Sequence, residues 1–206
     1  MGIVERRERE REEVRRKILD AARELFATEG YDRVTMRRIA AAIEYSATTI
    51  YHHFEDKDDL VLALCQEDFT RLLGALSAQE PPSDPVERIR QLGLAYARFG
   101  RGYPNHYRFM FLTNKQHIHE AQSSGVQAFG LLHSAVADAI DEGKFGQRDA
   151  DTTAQVLWAS IHGAVALLIT YRPEQFPAAP PAPDLVEQTI ENGVRGFLAP
   201  REGGRS

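Results

Sequence analysis

The side chains best able to do chemistry are concentrated between Thr35 and Lys57, in the stretch TMRRIAAAIEYSATTIYHHFEDK. They are hydrogen-bonding groups: the hydroxyls of Thr35, Ser46, Thr48 and Thr49, the phenols of Tyr45 and Tyr51, the imidazole of His52 and the ammonium of Lys57. The apolar residues between them dictate how they are presented. Ile39, Ala40 and Ile43 fall on one face of a short helix, and Thr35 is placed to accept a bond from an unpaired first-turn N–H. Glu44 and Tyr45 form a turn. Ser46 then caps a second helix, over about 46–53, in which Ile50 and Phe54 recur at i and i+4 and face inward. Ala47, Thr48, Thr49, Tyr51 and His52 are left outside. That surface is short, small and rich in hydrogen-bonding groups, which suits the major groove of DNA.

Other reactive residues form no comparable pattern. His117 and His119, with Glu120 beside them, raise the question of a metal. Positions i and i+2 do not face each other on a helix, however, and no distant Cys or Asp/Glu set completes a site. A Gly-rich phosphate loop, a nucleophile elbow and an HExxH motif are all missing from the sequence. The competing reading is a helical His-dependent enzyme or metal protein built on His106, His117, His119, His133 and His162. We expect no catalytic residue, no metal and no cofactor.

The elements that position these groups are helices throughout. Residues 5–29 carry Val14, Ile18, Ala21/Ala22 and Leu25 on one stripe, with Glu5 and Arg9, Glu12 and Arg16, and Glu13 and Lys17 as helical i, i+4 pairs. The first dozen residues have no apolar stripe. They read as a solvated arm, the sharper alternative being that Arg6, Arg7, Arg9 or Arg11 touches phosphate. Gly30 stops the helix. A helix follows from Lys57 to about Gln79, and PPSDP at 81–85 breaks it. Further helices are predicted over Val86–Arg101, from Pro104, over His117–Glu142, over Asp151–Tyr171, and from Asp184 to about Leu198 with Glu187 in a capping-box position. We find no strand pattern. The fold class predicted is all-α, about nine helices: a DNA-binding domain over 9–60 and a larger helical domain over 61–200.

Composition is that of an ordinary globular chain, 43% hydrophobic and 27% charged. The single cysteine, Cys65, excludes an internal disulfide framework and fits a reducing cytoplasm. The N-terminus has no apolar stretch of the signal-peptide kind. Residues 154–171 are apolar but include Gln155, Ser160 and His162, so a helix buried on two sides is preferred to a membrane span. The net charge of −5 is unusual for a DNA binder. Screening limits exposed charges to a reach of about 10 Å, though. Between Arg33 and His53 three arginines (33, 37 and 38) face one acid, Glu44.

Thr35, Ile39, Ala40, Ser46, Ile50, Tyr51, His53, Phe54, Lys57, Asp58 and Leu60 together resemble the DNA-binding helix-turn-helix of the TetR family of bacterial transcriptional regulators. The departures are Ile43 and Glu44, where a small residue and Gly are usual, and Thr48, where Gly is frequent. A non-Gly residue with positive φ at Glu44 would cost about 1 kcal/mol. The resemblance implies that Thr35, Tyr51 and Lys57 hold phosphates while Tyr45, Thr48 and Thr49 approach base edges, with Ser46, Ala47 and His52 on the same surface. It also implies a homodimer that represses transcription until a small-molecule effector releases it from operator DNA.

Trp158 and His162-Gly163, with YPNHYRFMF at 103–111, resemble the WHG-type regulatory domain found in part of that family. Trp158 and His162 share a helix face. With Tyr96, Phe99, His106, Tyr107, Phe111, Phe129 and His133 they are candidates to line an apolar effector pocket. The last helix aligns Val186, Ile190, Val194 and Phe197 on one stripe with Gly193 beside it. We take these residues as the expected dimer interface, paired with the preceding helix.

Overall fold

The computed structural model describes residues 2–78, 80–112, 122–176 and 184–200. Among these, nine α-helices form two compact units. One unit comprises residues 1–70 and 105–124; the other comprises 71–104 and 125–206.

The first unit is built on α1 (Ile3–Glu29). Its backbone starts with Gly2 N–H donating to Glu5 Oε2 at 3.0 Å. It ends at Gly30, whose φ of 82° is the left-handed conformation that glycine adopts without strain. Ile18, Leu19, Ala22, Leu25 and Phe26 are buried from the fifth turn onward, whereas residues 5–13 are exposed. Two short helices, α2 (Met36–Ala42) and α3 (Ala47–Tyr51), and the long α4 (Lys57–Leu76) complete the head. Met36, Ile39, Ala40, Ile50, Phe54, Leu60, Val61, Leu64 and Cys65 close its core. Each large apolar side chain buried in this way contributes about 1.5–3 kcal/mol.

Sequence reading placed the division between domains at residue 60. Packing instead assigns 61–70 and 105–124 to the head. After α6 (Pro104–Tyr107) the chain makes one π-helical turn, Arg108–Leu112. Phe109, fully buried on that turn, stacks on Phe26 with centroids 5.7 Å apart and joins the head core.

In the second unit α5 (Pro85–Gly102), α8 (Ala150–Thr170) and α9 (Leu185–Phe197) pack on one another, with the later part of α7 (Gln122–Asp141) beside them. Asp84 caps α5 by accepting the Val86 N–H at 3.0 Å, and Asp149 caps α8 by accepting the Thr152 N–H at 2.7 Å. Gly93 permits the close approach of three helices. A Cβ there would lie 3.0 Å from Ile161 Cδ1 and 3.1 Å from Ile190 Cδ1. The expected capping box at the start of α9 is not made. Asp184 accepts from the Gln188 side chain at 2.8 Å and caps no backbone N–H. The expected start of α7 at His117 lies outside the described residues. A single antiparallel bridge, Phe145 with Leu198, is the one piece of extended pairing among the described residues.

The expected dimer stripe is part of the protomer core. Val186, Ile190 and Val194 are 3%, 3% and 0% exposed. Val194 packs with Val86, Ile89, Val136 and Leu157. Gly193 faces Leu157 Cδ2, and Phe197 lies against Phe145 and the Arg148 guanidinium. The stripe did require a helix opposite it, but that helix is α8 of the same chain.

Candidate nucleic-acid interface

The turn between α2 and α3 sets the geometry of the candidate surface. Thr35 Oγ1 accepts the Arg38 N–H at 3.1 Å and so opens α2. At the other end Glu44 N–H donates to Ala41 O at 3.4 Å and Tyr45 N–H to Ala40 O at 3.0 Å. That pairing is a Schellman motif, with Glu44 in its left-handed position at φ 60°. Ser46 Oγ then accepts the Thr49 N–H at 3.2 Å and lies 2.9 Å from Thr49 Oγ1. Ile50, fully buried, anchors α3, while Thr48, Tyr51 (54% exposed) and His52 stand outward. Tyr45 is exposed at the turn, and Ala47 leans on the head core.

Lys57 stands apart from this surface in its bonding. Its Nζ donates to Tyr31 O at 2.9 Å and Val34 O at 3.1 Å, and sits 3.8 Å from the Tyr31 ring centroid. The Tyr31 hydroxyl in turn donates to Asp58. Burial first, and then that bond, push the Tyr31 pKa up to about 12. Lys57 thus has one N–H left to offer a phosphate.

The positive charge around α3 differs from the sequence-level picture. Arg38 is paired with Glu29 at 2.8 Å, and Arg33 Nε donates to Glu29 O at 2.7 Å. Arg37 is exposed, and cations from α1 flank the motif as well. Arg15 lies 5.2 Å over the Phe54 ring, and Lys17 lies 5.9 Å from the Tyr45 ring centroid. His53 is held below the ordinary histidine value, by burial first and then by Arg11 and Arg15.

Sequence reasoning missed a buried ionic cluster in the head. Arg23, with 4% of its side chain exposed, donates through Nε to both carboxylate oxygens of Asp68 at 3.0 and 3.1 Å, and through Nη1 to Asp20 at 2.7 Å. His106 Nδ1 lies 2.8 Å from Asp68 Oδ1. Burial alone would lower the Arg23 pKa, and its carboxylate neighbours more than offset that effect. The signal was present in the sequence: Arg23 follows Leu19 by four residues and Asp68 follows Leu64 by four, so each falls in the apolar phase of its helix.

The candidate pocket residues divide between the two units. His106, Tyr107 and Phe111 belong to the head, where Tyr107 is fully buried and Phe111 meets Phe69 edge-on at 5.7 Å. In the second unit Tyr96 Oη lies 2.9 Å from His162 Nδ1. Trp158 lies 5.3 Å from the His162 ring, and Phe129 meets Trp158 edge-on at 6.3 Å. Phe99 is core, beside Tyr103, and His133 Nε2 is bound to Asp151 at 2.9 Å. His117 and His119 lie outside the described residues. Among the described residues no three His, Cys, Asp or Glu side chains are grouped to hold a metal.

A head that presents a capped, solvent-facing second helix after a tight turn has the form of a helix-turn-helix, and it is followed by a second helical unit. The chain belongs to the tetR family of bacterial regulatory proteins. The family profile described as "Bacterial regulatory proteins, tetR family" matches residues 18–64, and "Tetracyclin repressor-like, C-terminal domain" matches residues 89–192. The HTH-type transcriptional repressor Rv1474c of Mycobacterium tuberculosis is 49% identical over 65 residues, 32% of this chain and 35% of that protein. The match thus spans about a third of the length of that curated relative. Among solved structures, a bacterial regulatory protein in the tetR family from Rhodococcus RHA1 aligns with a TM-score of 0.74 at 20% identity, over 90% of this chain and 98% of that one. A protein with unknown function from Rhodococcus sp. RHA1 aligns with a TM-score of 0.69 at 27% identity, over 90% of this chain and 95% of its own.

Proposed function

We propose that the chain is a cytoplasmic, homodimeric repressor that binds operator DNA through α3 and is released by a small-molecule effector held in the second unit. The observation that carries this reading is the outward presentation of Thr48, Tyr51 and His52 on a helix fixed from beneath by Ile50 and from its start by Ser46. Thr35, Tyr51 and the remaining N–H of Lys57 hold phosphates. Tyr45, Thr48 and Thr49 meet base edges, with Ser46, Ala47 and His52 completing the contact surface.

The dimer uses the side of α8 that its own protomer leaves open. Val156 (47% exposed), Ala159, Ser160, Gly163 and Leu167 (42% exposed) run along it, and a Cβ on Gly163 would meet no atom within 4 Å. Gly196 on α9 is equally open. The helix is long and apolar enough to cross a membrane by length and composition, but Ala154, Leu157, Ile161, Ala164 and Val165 bury its other side against the protomer. A second copy covering the open side satisfies such a helix, and two heads can then reach half-sites about 34–36 Å apart.

The effector site is built from Tyr96, Phe129, Trp158 and His162, an apolar aromatic group with a hydrogen-bonded imidazole at its edge. The deciding experiment is a gel shift of the purified protein on DNA from immediately upstream of its own gene, with Tyr51→Phe and Thr49→Ala beside it. Tyr51→Phe should weaken binding to every duplex, and Thr49→Ala should change the ranking among duplexes. Absence of any shift, at low salt and without effector, would dismiss the reading.

A further inference from the structure

Residues 5–17 interleave seven arginines and lysines with five glutamates, and in sequence this looks like a balanced, solvated arm. In three dimensions the two signs separate. At about 100° per residue, Arg7, Arg11 and Arg15 succeed one another on one face of α1. Ile18, buried in the head, continues the same face, so this is the side of α1 that the head covers further along. Arg15 already lies over Phe54, and Arg11 and Arg15 both act on His53, at the C-terminal end of α3. The other arm arginines are turned to partners within the helix. Arg6 pairs with Glu10 at 3.3 Å, and Arg9 Nε donates to Glu5 O at 3.4 Å. No carboxylate lies within ion-pair distance of Arg7 or Arg11 among the described residues, and both side chains are exposed.

We propose that Arg7 and Arg11, on the overhanging end of α1, clasp backbone phosphates of a B-form DNA duplex beside the groove segment that α3 reads. The proposal rests on the DNA-binding reading above. Two features single out DNA as the occupant: the stripe is continuous with the α3 surface through Arg15 and His53, and its charge is complementary to phosphate. The spacing also agrees. Four helical residues advance about 6 Å; phosphates on one strand rise about 3.4 Å per step along the duplex axis, and the winding of the strand roughly doubles that separation in space, so two such guanidiniums meet neighbouring phosphates. Guanidinium binds phosphate through paired N–H bonds, which holds register without reading sequence.

The test uses the full chain and a labelled mixed-sequence duplex of about 30 base pairs, titrated by fluorescence anisotropy across a salt series. R7Q/R11Q is compared with R6Q/R9Q, which removes the same charge from the same arm. Circular dichroism checks that both remain as helical as the wild type. R7Q/R11Q should reduce the salt slope by about 2 units per bound protomer, and so by about 4 for the homodimer, at roughly 0.9 per phosphate contact, and weaken binding by at least about tenfold at near-physiological salt. R6Q/R9Q should match the wild type. Equal losses in the two variants would reduce the stripe to a general charge effect and overturn the proposal. Unchanged binding in both would assign the face to a partner other than DNA and overturn it as well. A wild-type chain that binds no duplex even at low salt would instead remove the DNA-binding reading itself.

Discussion

The ammonium of Lys57 stands 3.8 Å from the ring centroid of Tyr31 and donates to that residue's own carbonyl at 2.9 Å. With its second bond, to Val34 O, it fastens the first residue of α4 to the loop between α1 and α2. Lys57→Ala should therefore lower the stability of the head by about 2 kcal/mol, in addition to weakening DNA binding. Denaturant unfolding of the free protein measures the first effect and duplex titration the second. An unchanged unfolding midpoint with weaker binding would leave Lys57 as a phosphate ligand alone.

Glu44 occupies a left-handed position in which a side chain costs about 1–2 kcal/mol, partly offset by the flexibility that glycine adds to the unfolded chain. Glu44→Gly should raise stability by about 1 kcal/mol. It also removes an acid next to Tyr45, so affinity for any duplex should rise. A lower unfolding midpoint in the variant would contradict this account of the turn.

Asp68 is fully buried and answers Arg23 and His106 together. Asp68→Ala strands a buried guanidinium, and breaking such a pair from one side costs about 3–5 kcal/mol. Replacing both partners by apolar residues, Arg23→Met with Asp68→Leu, should recover much of that loss. Chemical denaturation of the three proteins checks the order. A single-variant cost below about 1 kcal/mol would mean that water reaches the site and satisfies the arginine.

Burial holds the His162 imidazole below the ordinary histidine value, so the fold accommodates the neutral ring. Above the unfolded-chain pKa, about 6.5, both states are neutral and the residue is silent. Below it, the unfolded chain takes up a proton that the folded chain resists, and stability declines until the folded ring titrates. Melting temperature should fall from pH 7 toward pH 5, and His162→Gln should fall less steeply. His53, also lowered, accounts for part of the slope that remains. Parallel curves for wild type and His162→Gln would count against this role.

Ala159 is exposed in the open stripe of α8 and Val194 is fully buried, so glutamate at the two positions should have opposite consequences. Ala159→Glu should give a folded monomer that has lost operator binding, whereas Val194→Glu should fail to fold. Light scattering with circular dichroism separates the outcomes. A folded, dimeric Ala159→Glu protein would move the interface elsewhere.

What could be read from the chain beforehand was whatever depends on neighbours within a few residues. The caps at Thr35 and Ser46, the inward Ile50 and the left-handed Glu44 all follow from bonds spanning three to five positions, and the structure shows each in place. The stripe on α9 was equally legible as a stripe. Periodicity shows which residues share a face but not which surface fills the other side, and Val194 met Leu157 of its own chain. The charge around α3 was only partly legible, for a related reason. Glu29, which pairs with Arg38, lies nine positions away in sequence, outside the stretch from Arg33 to His53. His106 looked like a pocket residue because nothing local points to Asp68, which is 38 positions distant.

Phe109 has a consequence for how the chain comes into being. The ring that completes the head core beside Phe26 is synthesised only after residues 71–104, which belong to the other unit. At ribosomal rates of about 5–20 residues per second, the first 70 residues wait some seconds for it with that side of their core unfilled. The head is therefore first in the chain yet cannot close its core until residues 71–104 of the other unit have followed it. A nascent fragment that stops short of Phe109 leaves the face of Phe26 that this ring covers open to the cell's chaperones. A hybrid regulator assembled by joining one protein's first 70 residues to another's remainder inherits a mismatched ring at the centre of its head.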